Sequence, residues 1–256
     1  MEKRQTKMYS DEKDFDVNYE KLKKCAGYNP TKTMLSMTIG ELAKEIEQGQ
    51  ITLPDFQRGL CWDNQQVVDL FNFMLLSKAP ISTICLIVIG KRNDVSQLSF
   101  TTHEPILSDK NLYGCFSVID GQQRLTAIYR AYSNDPSYNH IVLDLDKAKF
   151  LETKGIKHNQ IPVGILYNKD NMVFNDYLES HYHFDPTAKT IDGSTLDIEW
   201  YQILLKVRIK FMQYAYNVQI GNDMNLDEQV DWFIKLNTAG SQLDIDNYKN
   251  LVDHAE

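Results

Sequence analysis

The chain has 256 residues, 24% of them charged and 11% aromatic, and carries a formal net charge of −8. That length can bury a sizeable core in one or two domains, and the composition is that of an ordinary globular protein, not a disordered one. The acidic balance excludes a protein that coats DNA by bulk electrostatics, and the acidic excess from Asp223 to Glu256 makes that end a poor nucleic-acid face, though a local basic groove stays open.

In chain order, Met1 to about Lys24 alternates Lys, Asp and Glu with few apolar residues, so residues 1–37 read as a mobile or loosely packed arm. Thr38 stands where it can cap a helix with Ile39, Leu42, Ala43 and Ile46 on one face, ending near Gly49. Ile51–Leu53 reads as a short strand. Asp63 then caps a helix in which Val67, Leu70, Phe71, Met74 and Leu75 recur at helical spacing, a core stripe. Ile84 to Ile89 is an unbroken apolar run suited to a central strand, and Ser96 to Thr102 alternates like a more exposed one. Phe116–Ile119 is a further strand, followed by a helix buried along Leu125, Ile128, Tyr129 and Tyr132. Ile141–Leu145 is strand-like. Asp146 to Asp197, rich in Asn, Asp, Lys and Tyr, is expected to be loops with one or two short elements. A long helix from about Leu196 to Met212 precedes a strand at Tyr214–Ile220. A helix from Asp227 then carries Val230, Phe233, Ile234 and Leu236 to a turn at Asn237–Gly240, and a last helix starts near Asp244.

The four cysteines are scattered and form no CxxC pair; Cys85 and Cys115 lie in strand-like runs and read as buried thiols. Neither a zinc site nor a disulfide framework is indicated. No signal-peptide pattern opens the chain, and no apolar run approaches the roughly 20 residues of a membrane span, so a cytoplasmic protein without a membrane partner is expected.

The most informative stretch is Phe116–Ile128, where a short apolar strand stops at Asp120-Gly121 and a helix-compatible run begins at once. A strand that turns tightly into a helix leaves free N–H groups at the helix start, a natural seat for phosphate. Gly121 permits close approach, and the Arg124 guanidinium can fork onto phosphate oxygens. Gln122 and Gln123 both donate and accept, so they can read a base, hold a phosphate or orient a water. The plainer alternative is a helix capped by Asp120 with an ordinary surface Arg124. Local sequence leaves both open.

A second segment, Ile51–Asp63, lies between two helices and repeats the Gln-Arg pairing at Gln57 and Arg58. "LPDFQRGLCW", then "VIDGQQRLTAIY", then "FIKLNTAGSQL" (Phe233 to Leu243) together resemble the N-terminal domain of the GmrSD-type, DGQQR-motif family of restriction and phage-defence systems, over about Ile39 to Leu251. The resemblance implies an α+β fold with a ParB/sulfiredoxin-like mixed-sheet core and a helical C-terminal half. The division expected is an α/β core over about 38–150 and a mostly helical part over about 165–256, within one nucleotide-binding domain from 38 to 256. It also implies nucleoside triphosphate binding and hydrolysis with Mg2+. Asp120, Gln123 and Arg124 would be catalytic, and Gln57, Arg58, Gly121, Gln122, Asn237 and Thr238 would bind nucleotide or phosphate. On the residues alone, Asn237 and Thr238 are more simply a helix-end cap. The resemblance assigns them to the site. Two alternatives are a non-hydrolysing module that recognises modified DNA and a phosphotransferase of the same fold. Members commonly continue into a His-containing nuclease domain; His254 matches none of its motifs, so DNA cleavage is expected from a nuclease partner and not from this chain.

The remaining candidates are weaker. His181 and His183 near Asp185 are more simply solvated than metal-bound, and Asp144 and Asp146 at a strand end are more simply solvated than Mg2+-holding. Trp62 can stack a base or wedge into the core. No GxxxxGK[ST], GxSxG or HExxH occurs, which excludes a P-loop enzyme.

Overall fold

The computed structural model describes residues 31–57, 59, 61–76, 83–107, 110–184, 195–196 and 198–238, together with Tyr19, Leu22 and Lys23. The first half runs β1 (Thr31–Thr38), α1 (Ile39–Glu47), β2 (Ile51–Pro54), α2 (Asn64–Leu75), β3 (Thr83–Val88), β4 (Gln97–Ser99), β5 (Phe116–Asp120) and α3 (Gln122–Tyr132). The second runs β6 (Ile141–Asp144), β7 (Lys149–Glu152), β8 (Gln160–Pro162), α4 (Val163–Leu166), α5 (Asn171–His181), β9 (His183–Phe184), β10 (Thr195–Leu196), α6 (Ile198–Gln213), β11 (Ala215–Gly221) and α7 (Leu226–Thr238).

Two capping boxes start the first helices where the sequence placed them. The Thr38 hydroxyl accepts from the Glu41 N–H at 3.2 Å while the Glu41 carboxylate accepts from the Thr38 N–H at 2.7 Å. Asp63 and Gln66 exchange the same pair of bonds at 2.8 and 3.0 Å. α1 buries Ile39, Leu42, Ala43 and Ile46, the stripe read from their spacing.

The architecture is α+β, built on a six-stranded mixed sheet in the order β1-β11-β3-β5-β2-β4. β3 lies third and is buried on both faces, as its unbroken apolar run requires. Its side chains alternate between two cores. Ile84 and Leu86, with Val118 of β5, face the large core under α1, α2, α3 and α6; Cys85 and Ile87, with Ile119, face a small one. In the small core Met224, Trp232 and Phe233 pack against Phe56 and those strands, so α7 covers the opposite face of the sheet. A separate three-stranded antiparallel sheet, β7-β6-β8, packs beside α2.

Three expectations are corrected. Residues 31–37, read as the end of a loose arm, form β1, antiparallel to β11 at the sheet edge. The strand has no clean alternation because both Met34 and Leu35 are exposed there, which is why periodicity missed it. The stretch from Asp146 to Asp197 holds more order than expected: two strands of the small sheet, α4 and the eleven-residue α5. α5 escaped notice because it buries only Phe174 and Leu178. Finally, β11 from the helical half sits between β1 and β3, so that half completes the same sheet. The helix expected from Asp244 and the turn at Gly240 lie outside the described residues.

Arg208 of α6 fastens the helical half internally. It is 6% exposed, and its guanidinium donates to the carbonyls of Ile165, Leu166 and Asn168 and to the Asn171 side chain, lying 4.5 Å under the Phe174 ring. Four acceptors around one buried cation replace its water. Arg208→Ala strands those carbonyls and opens a cavity, so a loss of about 3 kcal/mol is expected, read as an earlier urea midpoint at unchanged slope.

Candidate functional site

β2 pairs with β5 only at Ile51↔Phe116 and Thr52↔Ser117; after Pro54 the chain turns away. The end of β5 is therefore left without a strand on that side. Gln57 fills the gap. Its side-chain N–H groups donate to the carbonyls of Val118 at 2.5 Å and Ile119 at 3.1 Å, tying the first motif to the second across 61 residues of sequence.

β5 passes into α3 through Gly121, whose φ of +98° is the left-handed region. A Cβ there would also lie 3.1 Å from Ile84 Cγ1. Conformation and space both demand glycine. Gly121 is the N-cap of α3 and no side chain caps the helix, so the reading of Asp120 as N-cap is corrected. Asp120 belongs instead to β5 and accepts from Arg124 Nη2 at 2.9 Å. The first-turn N–H groups of α3 are consequently left open at the cleft.

That cleft, of about 390 Å³, is lined by Gln57, Cys61, Trp62, Ile119, Asp120, Gly121, Gln122, Gln123, Arg124, Phe233 and Asn237. All three sequence motifs meet there. Arg124 Nη2 also donates to the Thr83 carbonyl at 3.0 Å, while its Nη1 is buried without an acceptor among the described residues. Gln123 is occupied by the first-motif loop: its amide oxygen accepts from the N–H groups of Cys61 at 3.0 Å and Trp62 at 3.3 Å, and its nitrogen donates to the Gly59 carbonyl at 3.3 Å. Asn237 reaches the cleft from α7, its amide donating back to the Phe233 carbonyl at 2.7 Å. Arg58 and the side chain of Thr238 lie outside the described residues.

Cys85 stands opposite Asp120 in the β3–β5 register. Burial first, and the Asp120 charge second, push its thiol up to about 11 against the opposing pull of Arg124, so it is no nucleophile at neutral pH. The other candidates lie elsewhere. Asp144 accepts from Gln160 and the Lys147 N–H, and Asp146 from Asn159, which makes them braces of the small sheet. His181 stacks on Tyr177 at the end of α5, and the His183 side chain is outside the described residues. Among the described residues no group of three or more His, Cys, Asp or Glu side chains is arranged to hold a metal.

Sequence reasoning missed what positions α7. Asn225 and Glu228 form a third capping box, and Arg92 grips both Glu228 oxygens at 2.7 and 2.8 Å. Asp223 accepts from the N–H groups of Gly90 and Arg92, and Asp94 from that of Leu226. The signal was present in Asn225-x-x-Glu228, the pattern of a capping box.

The sequence profile of the GmrSD restriction endonuclease N-terminal domain matches residues 39–252. The chain belongs to this family. Membership sets it in the context of restriction and phage defence, and all three motifs fall within the matched span. No curated protein matches the chain. No helix among the described residues is long and apolar enough to cross a membrane.

The bonds of Gln123 assign it to loop positioning. In Gln123→Leu, hydrogen exchange at the Cys61 and Trp62 amides is expected to quicken by about fivefold, as each loses a bond of about 1 kcal/mol. Unchanged protection would refute the brace.

Proposed function

We propose that the cleft binds a nucleoside triphosphate with its phosphates against the open N-terminus of α3, and that it hydrolyses the terminal phosphate within a restriction or phage-defence system. The observation that carries this reading is the convergence of three distant motifs on one uncapped helix start. A confined cleft of a few hundred Å³ suits a small ligand better than a duplex.

In this reading the first-turn N–H groups and Arg124 hold the phosphates, and Gly121 lets them approach the backbone. Asp120 orients the attacking water, which adds to the terminal phosphorus as the bond to the bridging oxygen breaks. Gln57 and Gln123 position β5 and the first-motif loop. Asn237 lines the cleft from α7, and Arg58 and Thr238 are assigned to nucleotide binding by the motifs alone. Among the described residues Asp120 is the one carboxylate lining the cleft, which fits a magnesium held mainly by substrate oxygens and water. When bound, that ion would offset the charge of the phosphates. Among the described residues no nuclease constellation accompanies the cleft, and the reading assigns DNA cutting to a nuclease partner.

The test is phosphate release and calorimetric binding across the four ribonucleoside triphosphates with Mg2+, alongside plasmid incubation. Wild type is expected to release phosphate without nicking. Arg124→Ala is expected to weaken nucleotide binding by roughly 10- to 150-fold, the loss of a charge-assisted contact of about 1.5–3 kcal/mol. It also frees the Thr83 carbonyl, so its melting temperature should fall by a few degrees while the fold persists. Wild-type affinity in the folded variant would end the phosphate assignment.

A further inference from the structure

A second cleft of about 250 Å³ backs onto the first, and Gln57 and Gln122 line both. Leu53 and Leu98 form its apolar sides, with His103 and Arg130 at its polar edge. Gln122 is only 9% exposed, yet its side-chain amide meets no hydrogen-bond partner among the described residues; only its backbone carbonyl is engaged, by Thr126. The amide therefore faces the cleft with a donor and an acceptor open to a ligand or to water.

Among the described residues the second cleft offers little net charge to an anion. Arg130 is already engaged by Asp135 at 3.6 Å and by Ser137 at 3.5 Å, and it lies over the Tyr138 ring. His103 is held at a φ of +58°, its N–H bonded to the Ser99 carbonyl at 2.8 Å, and burial with the nearby Arg130 charge keeps its imidazole below the usual range and so neutral. Apolar sides, a neutral ring and two amides suit a flat, uncharged group with adjacent donor and acceptor atoms. A nucleobase edge has that character.

We infer that the second cleft is the nucleobase subsite of the nucleotide whose phosphates lie at the α3 N-terminus, and that the Gln122 side chain reads the hydrogen-bonding edge of the base. The inference rests on the phosphate assignment proposed above, since one ligand spans both clefts across the Gln57–Gln122 wall. The backbone N–H of Gln122 serves the phosphate and its side chain the base.

The experiment compares calorimetric affinities of the four ribonucleoside triphosphates with that of ribose 5-triphosphate, which lacks only the base. Wild type is expected to bind at least one nucleotide more tightly than ribose 5-triphosphate. In Gln122→Leu the ratio of the two affinities is expected to fall about tenfold, as two hydrogen bonds are lost. Leu98→Trp, which fills the second cleft from the wall away from the first, is expected to abolish the same advantage. Full retention of the base advantage in both variants would overturn the inference while leaving the phosphate site standing. Failure of wild type to bind either ribose 5-triphosphate or any nucleotide would overturn both.

Discussion

The end of β5 has no strand beside it on the β2 side, and the site follows from how its loose backbone there is satisfied. Buried carbonyls left open by the departure of β2 would destabilise the sheet if nothing replaced the missing ladder. Gln57 replaces it with a side chain, so the backbone can leave the sheet plane at Asp120 and turn within one residue into α3. Only glycine can make that turn against Ile84. Once it is made, the first-turn N–H groups, the Asp120 carboxylate and the Arg124 guanidinium lie within one small cleft. The glutamines of the first two motifs are thus partly architectural: Gln57 holds the strand end and Gln123 holds the first-motif loop.

The opposite side of the cleft depends on the small core. Cys85, Ile87, Ile119 and Met224 are too few to seat a thirteen-residue helix by apolar burial alone. α7 is therefore clasped at its start by Asp94, Asp223 and the Arg92–Glu228 pair. An exposed pair of this kind adds little singly, but a shared network with backbone N–H donors fixes direction. Direction is what Asn237 needs, because it stands at the far end of the helix from the clasp. The edge contact between Phe56 and Phe233, 5.9 Å between ring centres, then joins α7 to the same first-motif segment that carries Gln57.

Elements whose burial has one clear period were legible in the sequence. The α1 and α2 stripes with their capping boxes, the doubly buried β3 and the β5–α3 turn follow from periodicity and cap chemistry. β1 and α5 were not legible, because an edge strand with two successive exposed apolar residues and a helix with two buried ones carry almost no periodic signal. That the three motifs converge on one cleft was readable from the sequence for the described residues, including Asn237, whose local chemistry alone favoured a cap. The division of labour inside it was not. Whether Gln123 faces a ligand or a loop, and whether Asp120 caps a helix or pairs with Arg124, depends on where Cys61, Trp62 and Thr83 fall in space. Sequence spacing does not encode those distances.

The anion site proposed for a chain of net charge −8 would have to work at short range. At physiological ionic strength, charges beyond about 8 Å are largely screened, so the acidic surface neither prevents nor assists a ligand already in the cleft. What counts there is the set of groups it would touch, which among the described residues are helix-start dipoles, a guanidinium one turn along α3 and a single carboxylate. The Asp120–Arg124 pair makes that set nearly neutral before a ligand arrives. In the proposed reading, an arriving phosphate would compete with Asp120 for Arg124, and a cation travelling with the phosphate would relieve the competition by giving Asp120 another partner. The same pair that compensates Arg124 would thus make binding of a bare polyphosphate weaker than binding of its metal complex. The proposed site would then select its ligand by charge state without a cluster of metal-ligating side chains among the described residues.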